Sequence, residues 1–193
     1  MNASSSGEGS ERQKMLAGQL YRASDAELKA ARRRARRLTR RYNQTTEEED
    51  ELRLQLLAEL FGRIGTGIEI EPPFACDYGT NIHAGDGLYL NFGCVILDCA
   101  RVDIGCHVQM GPGVHIYTAH HPTDPNARAT ELELATPVRI GNQVWIGGGT
   151  IICPGVTIGD GATVGAGSVV VKDVPARVVA AGNPCRILRT LSG

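Results

Sequence analysis

The chain has 193 residues, a length that favours one domain with its own hydrophobic core, and 20 Lys and Arg against 21 Asp and Glu give a formal net charge of -1. Such a balance provides no overall attraction to nucleic acid or to an acidic membrane surface. No run approaches the roughly 20 apolar residues of a membrane span, and no apolar signal stretch opens the sequence, so we expect a cytoplasmic protein whose function lies in local sites.

The N-terminal region is predicted to be a tail followed by helices. Residues 1–10 are small and polar, and we expect a disordered tail over residues 1–13. Ser24 and Glu27 form a capping-box pattern before a run of helix formers that reaches about Arg41.

A second helix is predicted after it. Thr45 or Thr46 is the expected N-cap, and leucines recur at helical spacing until Gly62. Residues 14–64 are therefore expected to form an N-terminal helical segment. Seven arginines between residues 32 and 41 precede five acidic residues at 47–51, a pattern that favours a solvated or internally paired helix face over a nucleic-acid patch.

The sequence pattern changes after Pro73. Of the 24 glycines, 20 lie beyond residue 64. Aliphatic residues recur every six positions, as Ile140, Ile146, Ile152, Ile158, Val164 and Val170. The upstream series is Ile104, Met110 and Ile116, with Leu90, Ile96, Val102, Val108 and Val114 in positions two residues ahead. Glycine follows the aliphatic residue at Gly141, Gly147, Gly159 and Gly165.

A fixed period of six is typical of a hexapeptide-repeat parallel β-helix, in which three faces of about six residues complete a coil. We predict this fold for residues 65–190, with the aliphatic residues stacked inward. The repeat fails after Ile116 and resumes at Val138, which predicts a projecting loop over residues 117–137, and loops of this kind commonly carry function.

Six cysteines stand at positions 76, 94, 99, 106, 153 and 185 without forming a CxxC pair. Free, mostly buried thiols in a reducing compartment are the expected arrangement.

Four segments of the sequence form a specific set of motifs. They are MLAGQLYRASDAEL, EPPFACDYGTNIHAGDGLYLNFGCVILD, TAHHPTDPNAR and the C-terminal run that begins PVRIGNQVWIGGG. In this order, the motifs resemble those of the maltose and galactoside O-acetyltransferases and the related nodulation acetyltransferases. The resemblance covers roughly residues 14–190. It implies a left-handed parallel β-helix, against the usual right-handed crossover preference, a homotrimer with active sites between subunits, and acetyl coenzyme A as the acetyl donor.

Transfer of an acetyl group from a thioester to a sugar hydroxyl needs a base and donors for the oxyanion, but no metal. Histidine suits the base role because its ordinary pKa is about 6.5. The resemblance implies that His121, which precedes the loop proline, is this base, and the adjacent His120 is the alternative. It also implies that Glu133 orients the imidazole and that a backbone N–H at Gly148 binds the oxyanion.

The resemblance assigns Asp77, Asn91 and Asp25 to the acceptor site. Asp77 and Asn91 could equally cap turns of the coil. Some galactoside-type members carry a second aspartate after the one at position 98, where this chain has Cys99, so the resemblance does not fix the acceptor.

For the coenzyme, the resemblance implies Trp145 at the mouth of a channel, Gly147 and Ala166 beside the pantetheine arm, and Lys172, Arg186 and Arg189 near the phosphates. Cations at such positions are also common on solvated surfaces, and the glycines would serve the corners of the coil in either case.

Three other functions are compatible with parts of the sequence. The first is the same chemistry on an antibiotic or serine hydroxyl, and the second is a non-catalytic trimeric scaffold. The third is a zinc enzyme like the γ-class carbonic anhydrases, since His115 and His120 stand five residues apart. His83 and His107 lie 32 and eight residues before His115, out of phase with the repeat, which disfavours a third zinc ligand.

Overall fold

Three sheets of short strands form the three faces of a solenoid in the computed structural model, which describes residues 9–191. The first face contains β2 (Glu69–Ile70), β5 (Tyr89–Leu90), β8 (Gln109–Met110), β13 (Trp145–Ile146), β16 (Thr163–Val164), β18 (Val178–Ala181) and, antiparallel at its end, β19 (Arg186–Thr190). The second face contains β3 (Ala75–Cys76), β6 (Val95–Leu97), β9 (His115–Tyr117), β14 (Ile151–Ile152) and β17 (Val169–Val170). The third face contains β4 (Ile82–Ala84), β7 (Val102–Ile104), β12 (Val138–Ile140) and β15 (Thr157–Ile158).

Equivalent aliphatic residues of successive coils stack in columns, as the six-residue period predicts. On the third face, Ile104 pairs with Ile140, which in turn pairs with Ile158, and all three are buried. Every member of the downstream series from Ile140 to Val170 is buried.

The upstream register differs from the prediction. Leu90 pairs with Met110, and Ile96 pairs with Ile116, so both belong to the main inward series and not to positions two residues ahead of it. The reason is that the early coils take 20 residues instead of 18. The two additional residues of each early coil lie where the second face turns into the third, and we call this turn the wide corner.

Glycines allow neighbouring coils to approach closely at the other corners. A Cβ added to Gly147 would lie 2.4 Å from the backbone nitrogen of Ala166, and one added to Gly159 would lie 2.4 Å from that of Ala176. Any side chain at these two positions would force the coils apart. We call the turn between the first and second faces, which contains Gly147, the narrow corner.

Four helices accompany the coils within the described residues, namely α1 (Glu11–Leu16), α2 (Ala26–Asn43), α3 (Asp50–Leu60) and the short α4 (Pro125–Arg128). The prediction of disorder over residues 1–13 is wrong for residues 11–13, which are helical because Ser10 and Gln13 form a capping box. Residues 1–8 lie outside the described part of the chain.

The predicted caps of the two longer helices are also corrected. Asp25, and not Ser24, is the N-cap of α2, and its carboxylate accepts hydrogen bonds from the N–H groups of Glu27 and Leu28. Glu49 precedes α3 without a side-chain cap.

The arginines of α2 form no ion pair with residues 47–51 in the part of the chain that the structure describes. Instead, Arg34 donates to the carbonyl of Glu59 at the end of α3, and Arg32 turns towards the wide corner.

A small antiparallel sheet connects the N-terminal segment to the projecting loop. Its strands are β1 (Tyr21–Arg22), β11 (Leu132–Ala135) and β10 (Ala119–His120), in that order. The residues buried beneath this sheet form a second core, separate from the column of the coils, and include Met15, Tyr21, Leu28, Tyr78, Cys99, Ala100 and Ala135. The loop is therefore held on two sides, by its own hairpin and by the N-terminal segment.

All six cysteines are free thiols, and those at positions 76, 94 and 99 are buried. Within residues 9–191, no helix combines the length and the apolar character needed to cross a membrane.

Candidate active site

The wide corner contains a cavity of about 290 Å³. Its walls come from the N-terminal segment, from the additional corner residues of the first two coils and from the projecting loop. The lining residues are Tyr21, Ala23, Arg32, Arg36, Asp77, Tyr78, Cys99, Ala119 and Glu133. Most of these side chains are polar or charged, so the cavity suits a small hydroxylated molecule.

The buried side chain of Asp98 holds the turn at the wide corner in place. Its carboxylate is fully buried and accepts hydrogen bonds from the backbone N–H groups of Asp77 at 3.1 Å, Tyr78 at 2.8 Å and Asn81 at 3.2 Å. Burial raises the pKa of Asp98 to about 7, although these N–H groups stabilise the charged form. The turn at residues 77–81 is thereby fixed relative to the next coil.

This turn places the Asp77 side chain in the wall of the cavity. The Cys99 Sγ lies 3.4 Å from Asp77 Oδ2. Burial raises the pKa of Asp77, while the hydrogen bond from Cys99 and the charges of Arg32 and Arg36 act in the opposite direction. The sequence-based assignment of Asp77 thus falls on a residue of this cavity.

Arg32 forms the side of the cavity that belongs to α2. Its guanidinium donates to the Tyr78 hydroxyl at 2.5 Å and to the Ala23 carbonyl at 2.6 Å, and it lies 5.6 Å from the centre of the Tyr78 ring. In the sequence, Arg32 is one of seven arginines on the predicted helix, and nothing in the helical pattern separates it from the others.

Glu133 lines the cavity, and its hydrogen-bond partner is Tyr21. Its Oε2 accepts a hydrogen bond from the Tyr21 hydroxyl at 3.1 Å, across the β1–β11 pairing. Among the described residues no hydrogen bond joins Glu133 to His120 or His121, and its role in orienting the imidazole stays a prediction. Tyr21 is buried, and desolvation raises the pKa of its hydroxyl, which therefore remains a donor.

The two adjacent histidines have different environments at the end of β10. His120 is half-buried, and its Nε2 lies 3.0 Å from Thr136 Oγ1. His121 is exposed, and its ring makes no hydrogen bond within residues 9–191. His115 lies on the outer side of the second face, where its Nδ1 is 2.6 Å from the Tyr117 hydroxyl, as expected for a residue between two inward positions.

The narrow corner contains a second group of predicted site residues. Trp145 is 57% exposed and precedes the Gly147–Gly149 turn. The N–H of Gly148 donates to no acceptor in the described part of the chain, and Ala166 lies directly over Gly147 in the next coil. Asn91 belongs to this corner as well, where its Oδ1 accepts from the N–H of Phe92. The structure thus separates Asn91 from Asp77.

The remaining predicted residues are spread over the molecule. Asp25 caps α2 and is not among the residues that line the cavity, and its assignment to the acceptor site stays a prediction. Lys172 follows β17 and is exposed at the wide corner, two coils beyond β9. Arg186 and Arg189 are exposed on β19. Arg186 lies near the narrow corner, because its strand partner Ala181 stacks over Gly165 there.

The histidines do not converge on a metal site. Within residues 9–191, no three His, Cys, Asp or Glu side chains are grouped so that they could hold a metal ion.

Two family models match parts of the chain. Residues 137–172 match the bacterial transferase hexapeptide family, with six repeats, and residues 14–65 match the maltose acetyltransferase hexapeptide capping motif. The protein is accordingly a hexapeptide-repeat acetyltransferase.

Relatives then define the family. Nodulation protein L from Rhizobium meliloti is 52% identical over 92% of this chain and 97% of its own. A maltose O-acetyltransferase from Clostridium difficile has a TM-score of 0.94 at 46% identity, covering 96% of this chain and 99% of that one. A hexapeptide-repeat acetyltransferase from Vibrio cholerae, solved with acetyl coenzyme A, has a TM-score of 0.88 at 41% identity, covering 96% and 100%. The chain belongs to the maltose and galactoside O-acetyltransferase family, which confirms the resemblance stated above.

Proposed function

We propose that the protein transfers the acetyl group of acetyl coenzyme A to a hydroxyl group of a sugar. The observation that carries this proposal is the cavity at the wide corner. It combines a partly desolvated carboxylate, Asp77, with the guanidinium of Arg32, and the hairpin that bears His121 forms one of its walls. Sugars are recognised by such pairs of acceptors and donors, and the family membership supports the same acceptor class.

The reaction assigns a separate task to each corner. His121 takes the proton from the acceptor hydroxyl, and the hydroxyl oxygen attacks the thioester carbonyl. The N–H of Gly148 donates to the oxyanion that forms on the carbonyl oxygen. Collapse of the tetrahedral intermediate breaks the C–S bond, and His121 returns its proton to the departing thiolate. No metal takes part.

The environments of the two histidines support His121 as the base. A general base needs a ring nitrogen that can reach the substrate. His120 has Thr136 at 3.0 Å from its Nε2, whereas His121 is exposed at the rim of the hairpin. We therefore assign proton transfer to His121 and a supporting role in the hairpin to His120.

The narrow corner has the shape required for the donor. Gly147 and Ala166 form a ledge without protruding side chains, and Trp145 stands beside it. Arg186 and Arg189 on β19, and Lys172 at the wide corner, are exposed cations without ion pairs in the described residues, and we assign them to the coenzyme phosphates. When bound, acetyl coenzyme A supplies the activated acetyl group.

A homotrimer accounts for the separation of these groups. In one chain, the His121 hairpin and the Gly148 N–H lie at opposite ends of the second-face strands. The outer side of this face carries apolar residues such as Val95, Ile151 and Val169 between the two corners. Packing of copies through it would bring the wide corner of one subunit to the narrow corner of another, which supports three active sites between subunits.

An acceptor panel tests the proposed function. Coenzyme A release would be measured with acetyl coenzyme A and maltose, glucose, a galactoside, serine or chloramphenicol, and mass spectrometry would identify the acetylated product. We expect turnover with at least one sugar. Turnover restricted to serine or chloramphenicol would change the acceptor class, and no turnover with any acceptor would favour a scaffold. Stoichiometric zinc in the purified protein would favour the carbonic anhydrase alternative.

A further inference from the structure

Cys99 is a buried thiol inside the cavity, and the proposed reaction does not use it. Its side chain is 5% exposed and lies in the additional residues of the wide corner. The sulfur is 3.4 Å from Asp77 Oδ2, and the Tyr21 hydroxyl is a second polar neighbour. The thiol therefore lies between the N-terminal segment and the carboxylate that faces the acceptor.

The thiol is a neutral donor in this environment. Burial and the nearby charge of Asp77 raise the pKa of Cys99, so the proton stays on the sulfur. Within residues 9–191, the S–H of Cys99 is the only hydrogen-bond donor to the Asp77 carboxylate. Asp77 Oδ1 has no donor of its own in the same part of the chain.

We propose that Cys99 is a positioning residue that holds Asp77 Oδ2, so that Oδ1 faces the cavity and accepts a hydrogen bond from the sugar. This inference rests on the proposed function, because it takes Asp77 as the acceptor-binding carboxylate. Cys99 itself does not touch the reacting atoms.

A purely space-filling role predicts different behaviour. If Cys99 only filled the second core, any small side chain at this position would have the same effect on activity. If it holds Asp77, a serine that keeps the donor must differ from an alanine that removes it.

The groups that face Asp77 come from every element packed around the cavity. They are Tyr21 on β1, Arg32 and Arg36 on α2, Tyr78 and Asp98 from the corner, Cys99, and Glu133 on β11. Of the residues that the structure describes, Cys99 alone donates directly to the Asp77 carboxylate. Loss of this donor must raise the pKa of Asp77, because the hydrogen bond from Cys99 lowers it.

The test compares Cys99→Ala and Cys99→Ser, with Cys76→Ala as the matched control. Cys76 is buried in the first coil, next to Asp77 in sequence, but belongs to the core of the coils and not to the cavity. For Cys99→Ala, we expect the KM for the sugar to rise about tenfold, the KM for acetyl coenzyme A to stay within about twofold, and the acidic limb of kcat/KM for the sugar to move to higher pH. Cys99→Ser should remain close to the unsubstituted enzyme, and Cys76→Ala should not shift the acidic limb.

Equal losses in Cys99→Ser and Cys99→Ala, or the same shift in Cys76→Ala, would overturn the proposal. Its failure can be distinguished from failure of the proposed function. If no sugar is acetylated, the pKa of Asp77 is measured directly by carboxyl ¹³C NMR. This pKa must rise in Cys99→Ala relative to Cys99→Ser, and an unchanged pKa would refute the positioning role.

Discussion

Removal of the buried carboxylate at position 98 should destabilise the protein more than most single substitutions. In Asp98→Ala, three backbone N–H groups, those of residues 77, 78 and 81, lose their acceptor in a site without solvent access. Each buried donor left without a partner costs about 1–3 kcal/mol, so after partial relaxation we expect a loss of about 3–6 kcal/mol in the free energy of unfolding.

Asp98→Asn provides the graded comparison. The amide oxygen can still accept from the N–H groups of residues 77 and 78, whereas the NH₂ group is a donor and cannot accept from the N–H of Asn81. Only one hydrogen bond is lost, and we expect the free energy of unfolding to fall by about 1–2 kcal/mol. Asp103→Ala is the control, because its ion pair with Arg101 is exposed and such pairs contribute little.

Urea unfolding at a fixed protein concentration, followed by circular dichroism, measures these differences, since oligomers unfold in a concentration-dependent way. A loss below about 1 kcal/mol in Asp98→Ala would show that the carboxylate does not hold the corner. Equal losses in the alanine and asparagine variants would show that the three hydrogen bonds do not account for the contribution of Asp98 to the free energy of unfolding.

Burial raises the folded-state pKa of Asp98 to about 7. The stability that this raised pKa contributes is therefore fully present below the unfolded-state pKa and is lost as the pH rises through 7. In urea unfolding, the free-energy difference between the unsubstituted protein and Asp98→Asn should shrink from pH 5 to pH 8, and a constant difference would contradict the raised pKa. Arg186→Ala should raise the KM for acetyl coenzyme A about five- to thirtyfold at low salt with little change in kcat, an effect that salt should reduce, and an unchanged KM would remove Arg186 from the coenzyme site.

The six-residue period was sufficient to predict the coil, because each inward aliphatic residue meets its equivalent in the next coil. It was not sufficient for the early register. The interval from Cys76 to Ala84, and again from Ile96 to Ile104, is eight residues instead of six. A search for such widened intervals would have marked the wide corner as the place where the coil departs from regularity.

The same signal identifies Asp98 and Cys99, to which the motifs gave no role, and it marks Asp77 a second time. Asp98 and Cys99 lie in the widened interval of the second coil, Asp77 lies in that of the first, and the projecting loop opens at the equivalent point of the third. Three successive irregularities at one corner predict a shared site, since the inserted residues stack in space.

Contacts between distant segments could not be predicted in this way. The Tyr21–Glu133 hydrogen bond spans 112 residues, and Arg32 reaches Tyr78 from a helix whose arginines look alike in sequence. The N-cap role of Asp25 is a local feature of this kind, which the capping-box pattern placed one residue earlier, at Ser24.

The most direct test of the proposed mechanism compares acetyl transfer by His121→Ala and His120→Ala under saturating acetyl coenzyme A and sugar. The wild-type oligomeric state must be retained in both variants, as measured by sedimentation. If His121 is the general base, kcat should fall by about 10²–10⁴ in His121→Ala and by less than about tenfold in His120→Ala. Near-normal turnover by a folded His121→Ala enzyme, or the larger loss in His120→Ala, would contradict the assignment.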